Sequence, residues 1–180
     1  MEQAEKVIKP VIIISGPVGA GKTTVAKKLV EITPAPVSYI EGDKFWFFIA
    51  KGFEENARVR NFRMVMASMT AAVVPYALYG YQVVLDFSMT PSFLEKAAQI
   101  FNSRNIPFHY IVLRPSEEVC KARAAARNEG IVTDYEPYKR LYDAFDKAAQ
   151  YTISDDNAGA AAMATRIRAE VDAGNYLCKI

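Results

Sequence analysis

Lys22 and Thr23 close the segment Gly16-Pro17-Val18-Gly19-Ala20-Gly21-Lys22-Thr23, in which four residues separate a glycine from a Gly-Lys-Thr triplet. This is the spacing of a phosphate-binding loop. Such a loop wraps a triphosphate with backbone N–H groups, so glycine is needed wherever a side chain would block the approach. Lys22 supplies a cation for the β- and γ-phosphates, and the Thr23 hydroxyl can ligate Mg²⁺. Average residue usage puts a chance match in a chain of this length at about one in a hundred.

Phosphoryl transfer is mostly positioning and charge stabilisation. It needs a second anchor for Mg²⁺, a group that orients an acceptor hydroxyl, and cations around the migrating phosphoryl. Val83-Val84-Leu85-Asp86 is an apolar run ending in a carboxylate, as a Walker B strand does, which makes Asp86 the second metal anchor. Ile40-Glu41-Gly42-Asp43 ends another strand candidate. Asp43 can accept the proton of an acceptor hydroxyl, or cap the helix that follows, or do both. Glu41 is the reserve carboxylate. Arg123 and Arg127 lie one helical turn apart and are expected on one face, where a guanidinium can stack on a purine or fork onto phosphate. Arg58, Arg60 and Arg63 form a second basic cluster that suits either an anionic acceptor or a solvated helix start. Phe45-Trp46-Phe47-Phe48 can line an acceptor pocket or fill the core. Met64, Met66 and Met69 are expected to serve helix packing, and His109, within a strand and without a metal-spaced partner, to be packed or hydrogen-bonded.

These groups need elements to hold them. Val11–Ser15, Ser38–Glu41, Gln82–Phe87, Phe108–Arg114 and Tyr151–Ser154 are strand candidates. Helical patterns fill Lys22–Ile32, Lys44–Lys51, Asn56–Leu78, Pro91–Arg104, Ser116–Asn128, Glu136–Ala149 and Ala158–Ala173. The alternation predicts an α/β fold, a parallel sheet with crossover helices on both faces. It puts the glycine loop between a buried strand and a helix whose N-terminal dipole favours anions. The polar stretch 128–135 joins two helices where a phosphoryl-transfer fold would carry a lid, although an ordinary loop fits equally. Across all 180 residues, 51% hydrophobic content and a formal net charge of +2 fit one globular domain without a strong nucleic-acid or membrane field. Two cysteines form no framework, and the N-terminus lacks the basic start and apolar stretch of a signal peptide, so a cytoplasmic location is expected.

The loop Gly16–Thr23, Glu41-Gly42-Asp43, Val83–Asp86, the stretch Tyr110–Arg114 leading to Arg123 and Arg127, and Tyr151–Asp155 together resemble the P-loop small-molecule kinases of the AAA_33 group. That group includes chloramphenicol phosphotransferase-like, gluconate kinase-like and shikimate kinase-like proteins. The resemblance implies a five-stranded P-loop sandwich of strand order 2-3-1-4-5. It makes Asp43 the acceptor-binding carboxylate, Arg123 the arginine that stacks on adenine and Arg127 the lid arginine on the phosphates. It adds Gly19 and Thr24 to the phosphate contacts and sets the loop after Tyr151–Ser154 beside the adenine. One departure is a lid segment with fewer arginines than many of these kinases carry. No Asn/Thr-Lys-x-Asp motif that would read guanine is present, so ATP with Mg²⁺ is the expected nucleotide. The expected activity is transfer of the γ-phosphoryl group to a hydroxyl of a small molecule. A nucleotide or nucleic-acid-end kinase, and an ATP-binding regulatory protein without an acceptor, are the alternatives.

Overall fold

A computed structural model describes residues 7–178. Its centre is the strand β1 (Val11–Ser15), whose five residues are all buried. A run of four β-branched residues buried on both faces suits the middle of a parallel sheet. β1 pairs in parallel with β3 (Gln82–Asp86) on one side and β4 (Phe108–Leu113) on the other. β2 (Val37–Glu41) extends the sheet beyond β3, and the short β5 (Thr152–Ile153) extends it beyond β4. The order β2-β3-β1-β4-β5 is the one the sequence resemblance implies.

Alternate residues of these strands feed two cores. Ile12, Ile14, Val84 and Ile111 face α1 (Lys22–Ile32), α4 (Glu117–Ala125) and α6 (Ala160–Asp172), which contribute Leu29, Ala124 and Ile167. Val11, Ile13, Leu85 and Tyr110 face α2 (Arg58–Leu78) and α3 (Pro91–Asn102), which contribute Met69, Val73, Leu94 and Phe101. Among the described residues no helix is long and apolar enough to cross a membrane. His109 is buried, and its Nδ1 lies 2.7 Å from the Asn175 carbonyl oxygen, a packed and bonded strand histidine as expected. Met66 and Met69 are buried in the α2 face, but Met64 is exposed because it falls on the opposite side of the helix.

Three helical expectations are corrected. The expected helix Lys44–Lys51 is a 3₁₀ turn over Gly42–Phe48. Its aromatics cannot share one face: Phe45 and Trp46 pack on the core while Phe47 and Phe48 are 80% and 79% exposed. Asp43 lies within its first turn and makes no capping bond there, so the N-cap expectation fails. The expected helix Glu136–Ala149 ends as α5 at Asp143 and continues as a 3₁₀ turn to Tyr151. That tighter winding seats Phe145 and Ala148 in the core and brings Tyr151 to 5.5 Å from the Tyr110 ring. The expected helix Ser116–Asn128 starts at an N-cap Ser116, whose hydroxyl accepts from Val119 N–H, and stops at Ala125. The chain then doubles back, and Val132 N–H donates to the Ala124 carbonyl at 3.2 Å.

Gly42 joins β2 to the 3₁₀ turn at a point with no room for a side chain. A Cβ there would come within 2.6 Å of Phe87 Cδ2 and 2.7 Å of Met69 Sδ. Gly42→Ala is expected to cost about 1–3 kcal/mol by overpacking, read as a lower denaturation midpoint with an unchanged m-value. An alanine variant of wild-type stability would show that this junction is looser than described.

Candidate active site

Two close backbone approaches shape the glycine loop between β1 and α1. A Cβ on Gly16 would lie 2.1 Å from the Leu113 carbonyl oxygen, and one on Gly19 would lie 2.1 Å from the Cys120 carbonyl oxygen. Both residues also have positive φ, 137° and 82°. The loop is thus pressed onto the end of β4 and the middle of α4. Gly21 differs: its φ is 88°, yet a Cβ there would meet nothing within 4 Å. It needs glycine for conformation and leaves the space above α1 open. The first backbone bond of α1 runs from Val25 N–H to Gly21 O. Among the described residues, the amides of Gly21, Lys22, Thr23 and Thr24 donate to no backbone carbonyl, and no side chain caps the helix. Four free donors at a helix N-terminus form a cradle that suits phosphate oxygens.

Asp86 ends β3 beside this cradle, buried to 1% exposure. The Thr23 hydroxyl donates to its Oδ1 at 3.4 Å, and the Tyr39 hydroxyl donates to its Oδ2 at 2.5 Å. Burial pushes the Asp86 carboxyl up from its ordinary value, while the Tyr39 bond and the Lys22 charge pull it back down. The same burial and the same carboxylate hold the Tyr39 phenol well above its usual range. Hydroxyl and carboxylate oxygens are the hard donors that suit Mg²⁺, so the residues fit that ion. Tyr39 was not anticipated. Its signal lay in the strand register: β2 pairs Tyr39 with Val84 and Glu41 with Asp86, so a long side chain at 39 reaches the end of β3.

Lys22 donates through Nζ to the Pro17 carbonyl at 2.9 Å, bracing the loop from within. Burial lowers its pKa to about 8, with Arg127 adding to that and Asp86 and Asp43 opposing it. Tyr135 braces the loop from outside, its hydroxyl donating to the Val18 carbonyl at 2.7 Å. Sequence reasoning missed this tyrosine, which stands at the end of the stretch 128–135.

Lys22, Asp43 and Arg127 all line one cavity of about 750 Å³ beside the loop. Its walls include Trp46, Phe62, Phe87, Phe93 and Tyr138, and its rim carries Arg58, Arg63 and Lys96. From the basic cluster, Arg60 is turned away, toward the Gly52 carbonyl and Glu54. Glu41 does not line this cavity.

A second cleft, of about 260 Å³, opens on the other side of α1. Gly21, Thr24, Val25, Arg123, Ile153, Asp155 and Ala158 line it. Arg123 is tied there by donating to the Asp156 carbonyl at 3.1 Å, and the Asp156 carboxylate accepts from Ser116 N–H at 2.6 Å. The two arginines therefore do not share a face. Arg123 is on α4 and meets the smaller cleft, whereas Arg127 lies past the end of that helix and meets the larger cavity.

Comparison with solved structures finds the same fold in several proteins. The tunicamycin resistance protein of Deinococcus radiodurans is 19% identical, with a TM-score of 0.70 over 96% of this chain and 99% of that one. A sugar kinase from Janibacter sp. HTCC2649 is 15% identical, with a TM-score of 0.61 over 91% and 95%. The Mycobacterium tuberculosis APS kinase, solved with AMPPNP and APS, is 14% identical, with a TM-score of 0.63 over 91% and 97%. At such identities the likeness speaks for a P-loop kinase-like fold. No curated protein matches in sequence. The AAA domain family AAA_33 matches residues 11–145, well over half of the chain. With its glycine loop, sheet order and kinase-like neighbours, this protein belongs to the AAA_33 family of P-loop proteins.

Proposed function

We propose that the protein is a kinase that moves the γ-phosphoryl group of ATP to a hydroxyl of a small molecule. The observation that carries this reading is the shared cavity of Lys22, Asp43 and Arg127 next to the glycine loop. A nucleotide switch would have no need of a large second chamber with a carboxylate facing the phosphate end. Adenine occupies the smaller cleft with Arg123 over its face, and the triphosphate runs along Gly16–Thr24 toward Lys22. Thr23 and Asp86 would hold Mg²⁺, which when bound neutralises charge on the phosphate oxygens. The acceptor oxygen attacks the γ-phosphorus as the bond to the β–γ bridging oxygen breaks. ADP leaves with that electron pair, and the hydroxyl proton passes to Asp43. Lys22 and Arg127 hold the equatorial oxygens while charge redistributes. The stretch 128–134, exposed except for a half-buried Val132, lies between Arg127 and the anchored Tyr135 and is the lid in this reading.

The first test is ADP release across a broad panel of hydroxyl compounds. ATP binding without transfer to any of them would favour a regulatory protein instead. On a confirmed acceptor, Asp43→Asn should leave Mg·ATP binding nearly intact and lower turnover by about 10²–10⁴, the effect of a lost general base. Full turnover in that variant would remove Asp43 from the mechanism. Arg127→Ala should lower kcat more than it raises KM for ATP, because its contact strengthens in the transition state. Asp86→Asn should weaken the dependence of nucleotide binding on Mg²⁺, as read by calorimetry with and without chelator.

Lys22 makes a separate prediction about pH. In the free protein its ammonium is charged below about pH 8 and neutral above it. A triphosphate favours the charged form, so its pKa rises on binding. ATP affinity should be flat below pH 8 and fall above it, by up to about tenfold per pH unit. Calorimetry near pH 9 in buffers of different ionisation enthalpy should show net proton uptake on binding. Lys22→Arg, which stays charged, should abolish that uptake. Affinity that is flat through pH 9.5 in the wild-type protein would contradict the burial of this amine.

A further inference from the structure

The proposed transfer accounts for two of the five cations in the larger cavity, Lys22 and Arg127. Arg58, Arg63 and Lys96 remain, and among the described residues Asp43 is the one carboxylate lining the same space. Among the described residues, neither Arg58, Arg63 nor Lys96 takes part in an ion pair, while the adjacent Arg60 does. Arg58 also opens α2, with no acidic residue in the first turn of that helix. A cation at a helix N-terminus opposes its positive dipole end, and an anion held by Arg58 relieves that repulsion.

The neighbouring walls have the opposite character. Phe62 sits between Trp46 and Phe93, with ring centroids 6.2 Å and 4.6 Å away. Arg63, Phe93 and Lys96 are also shared with a second, apolar groove of about 260 Å³ between α2 and α3, lined by Met66, Ala97 and Ile100. Arg63 and Lys96 therefore stand where an aromatic chamber and an apolar groove meet.

Resting on the kinase reading above, we infer that the acceptor is an organic anion. It carries a phosphate, sulfate or carboxylate group bound by Arg58, Arg63 and Lys96, and an apolar body that lies on Trp46, Phe62 and Phe93. Its hydroxyl is then presented to Asp43, which lines the same chamber. Neutral sugars and polyols lack both features. Long nucleic acid would need a basic track beyond this chamber, which a net charge of +2 does not suggest.

Trp46 is the sole tryptophan of the chain and lines the chamber, so its fluorescence reports binding directly. The nucleotide site is first saturated with Mg·AMPPNP, and its occupancy is checked by calorimetry. Phenyl phosphate, phenyl sulfate, benzoate and the neutral benzyl alcohol are then titrated. At least one anion should change Trp46 emission and bind about tenfold or more tighter than benzyl alcohol, the effect of one or two charge-assisted bonds. Comparison among the three anions identifies the preferred group. The double variant Arg63→Gln/Lys96→Gln should erase the preference while still binding AMPPNP, and Arg63→Lys should retain part of it. Both residues are exposed, and unchanged thermal melting verifies that the fold survives. Equal affinity for anions and benzyl alcohol, no binding of any anion, or a preference that persists in the double variant would each overturn the inference. Failure of AMPPNP itself to bind would instead overturn the kinase reading on which it stands.

Discussion

The loop rests on its neighbours at backbone distance. Gly16 against the Leu113 carbonyl and Gly19 against the Cys120 carbonyl leave no volume for even one methyl group. This contact fixes where β1 ends relative to β4 and α4, and hence where α1 begins. The free amides at the start of α1, the position of Lys22 and the line of the smaller cleft follow from it. Lys22 on Pro17 and Tyr135 on Val18 then brace the loop from two sides, each by bonding a loop carbonyl rather than a loop amide. The donors stay free because the first amides of a helix have no intrahelical partner.

The buried charges at the site depend on one another. Asp86 alone, at its depth, would be costly to ionise. Tyr39, Thr23 and Lys22 surround it with two hydroxyl donors and a cation, and the Lys22 amine is itself held down by the same burial. Each group is tuned by an environment that a phosphate-bound metal would change: added positive charge at Asp86 favours its ionised form, and added negative charge near Lys22 favours the ammonium. The free site is therefore electrostatically unfinished, and a nucleotide with a bound metal would complete it.

Much of this was legible in the residues. The β-branched run Val11–Ile14 and the glycine spacing after it specify strand, turn and helix with little competition from tertiary context, and β1 and α1 match their expected limits. The apolar run ending in Asp86 was equally plain. What escaped notice depends on packing between distant segments. Tyr39 and Tyr135 act through single hydroxyl bonds across 47 and 117 residues, and no local pattern encodes such partners. Arg123 and Arg127 were expected on one helical face because their spacing permits it. The helix stops between them since Val132 returns to bond Ala124, an event specified by the loop and not by the helix. The segment Gly42–Phe48 misled for a related reason: its aromatics resemble a buried helix, but only Phe45 and Trp46 find a surface to cover.

Two of these differences, at Gly42–Phe48 and at Arg127, fall on the larger cavity. The nucleotide side is built from strand ends and a helix start, elements whose positions the sheet dictates. The larger cavity shares Val18, Lys22 and Phe87 with that frame, and its other walls come from a 3₁₀ turn, the first turns of α2 and α3, and the residues on either side of the stretch 128–135. Strand ends cannot shift without disturbing two cores, whereas Arg58, Arg63 and Lys96 are exposed side chains at the start of two helices. On the kinase reading, the choice of acceptor would lie in those three cations, while Trp46 would serve both the chamber and the core on which it packs.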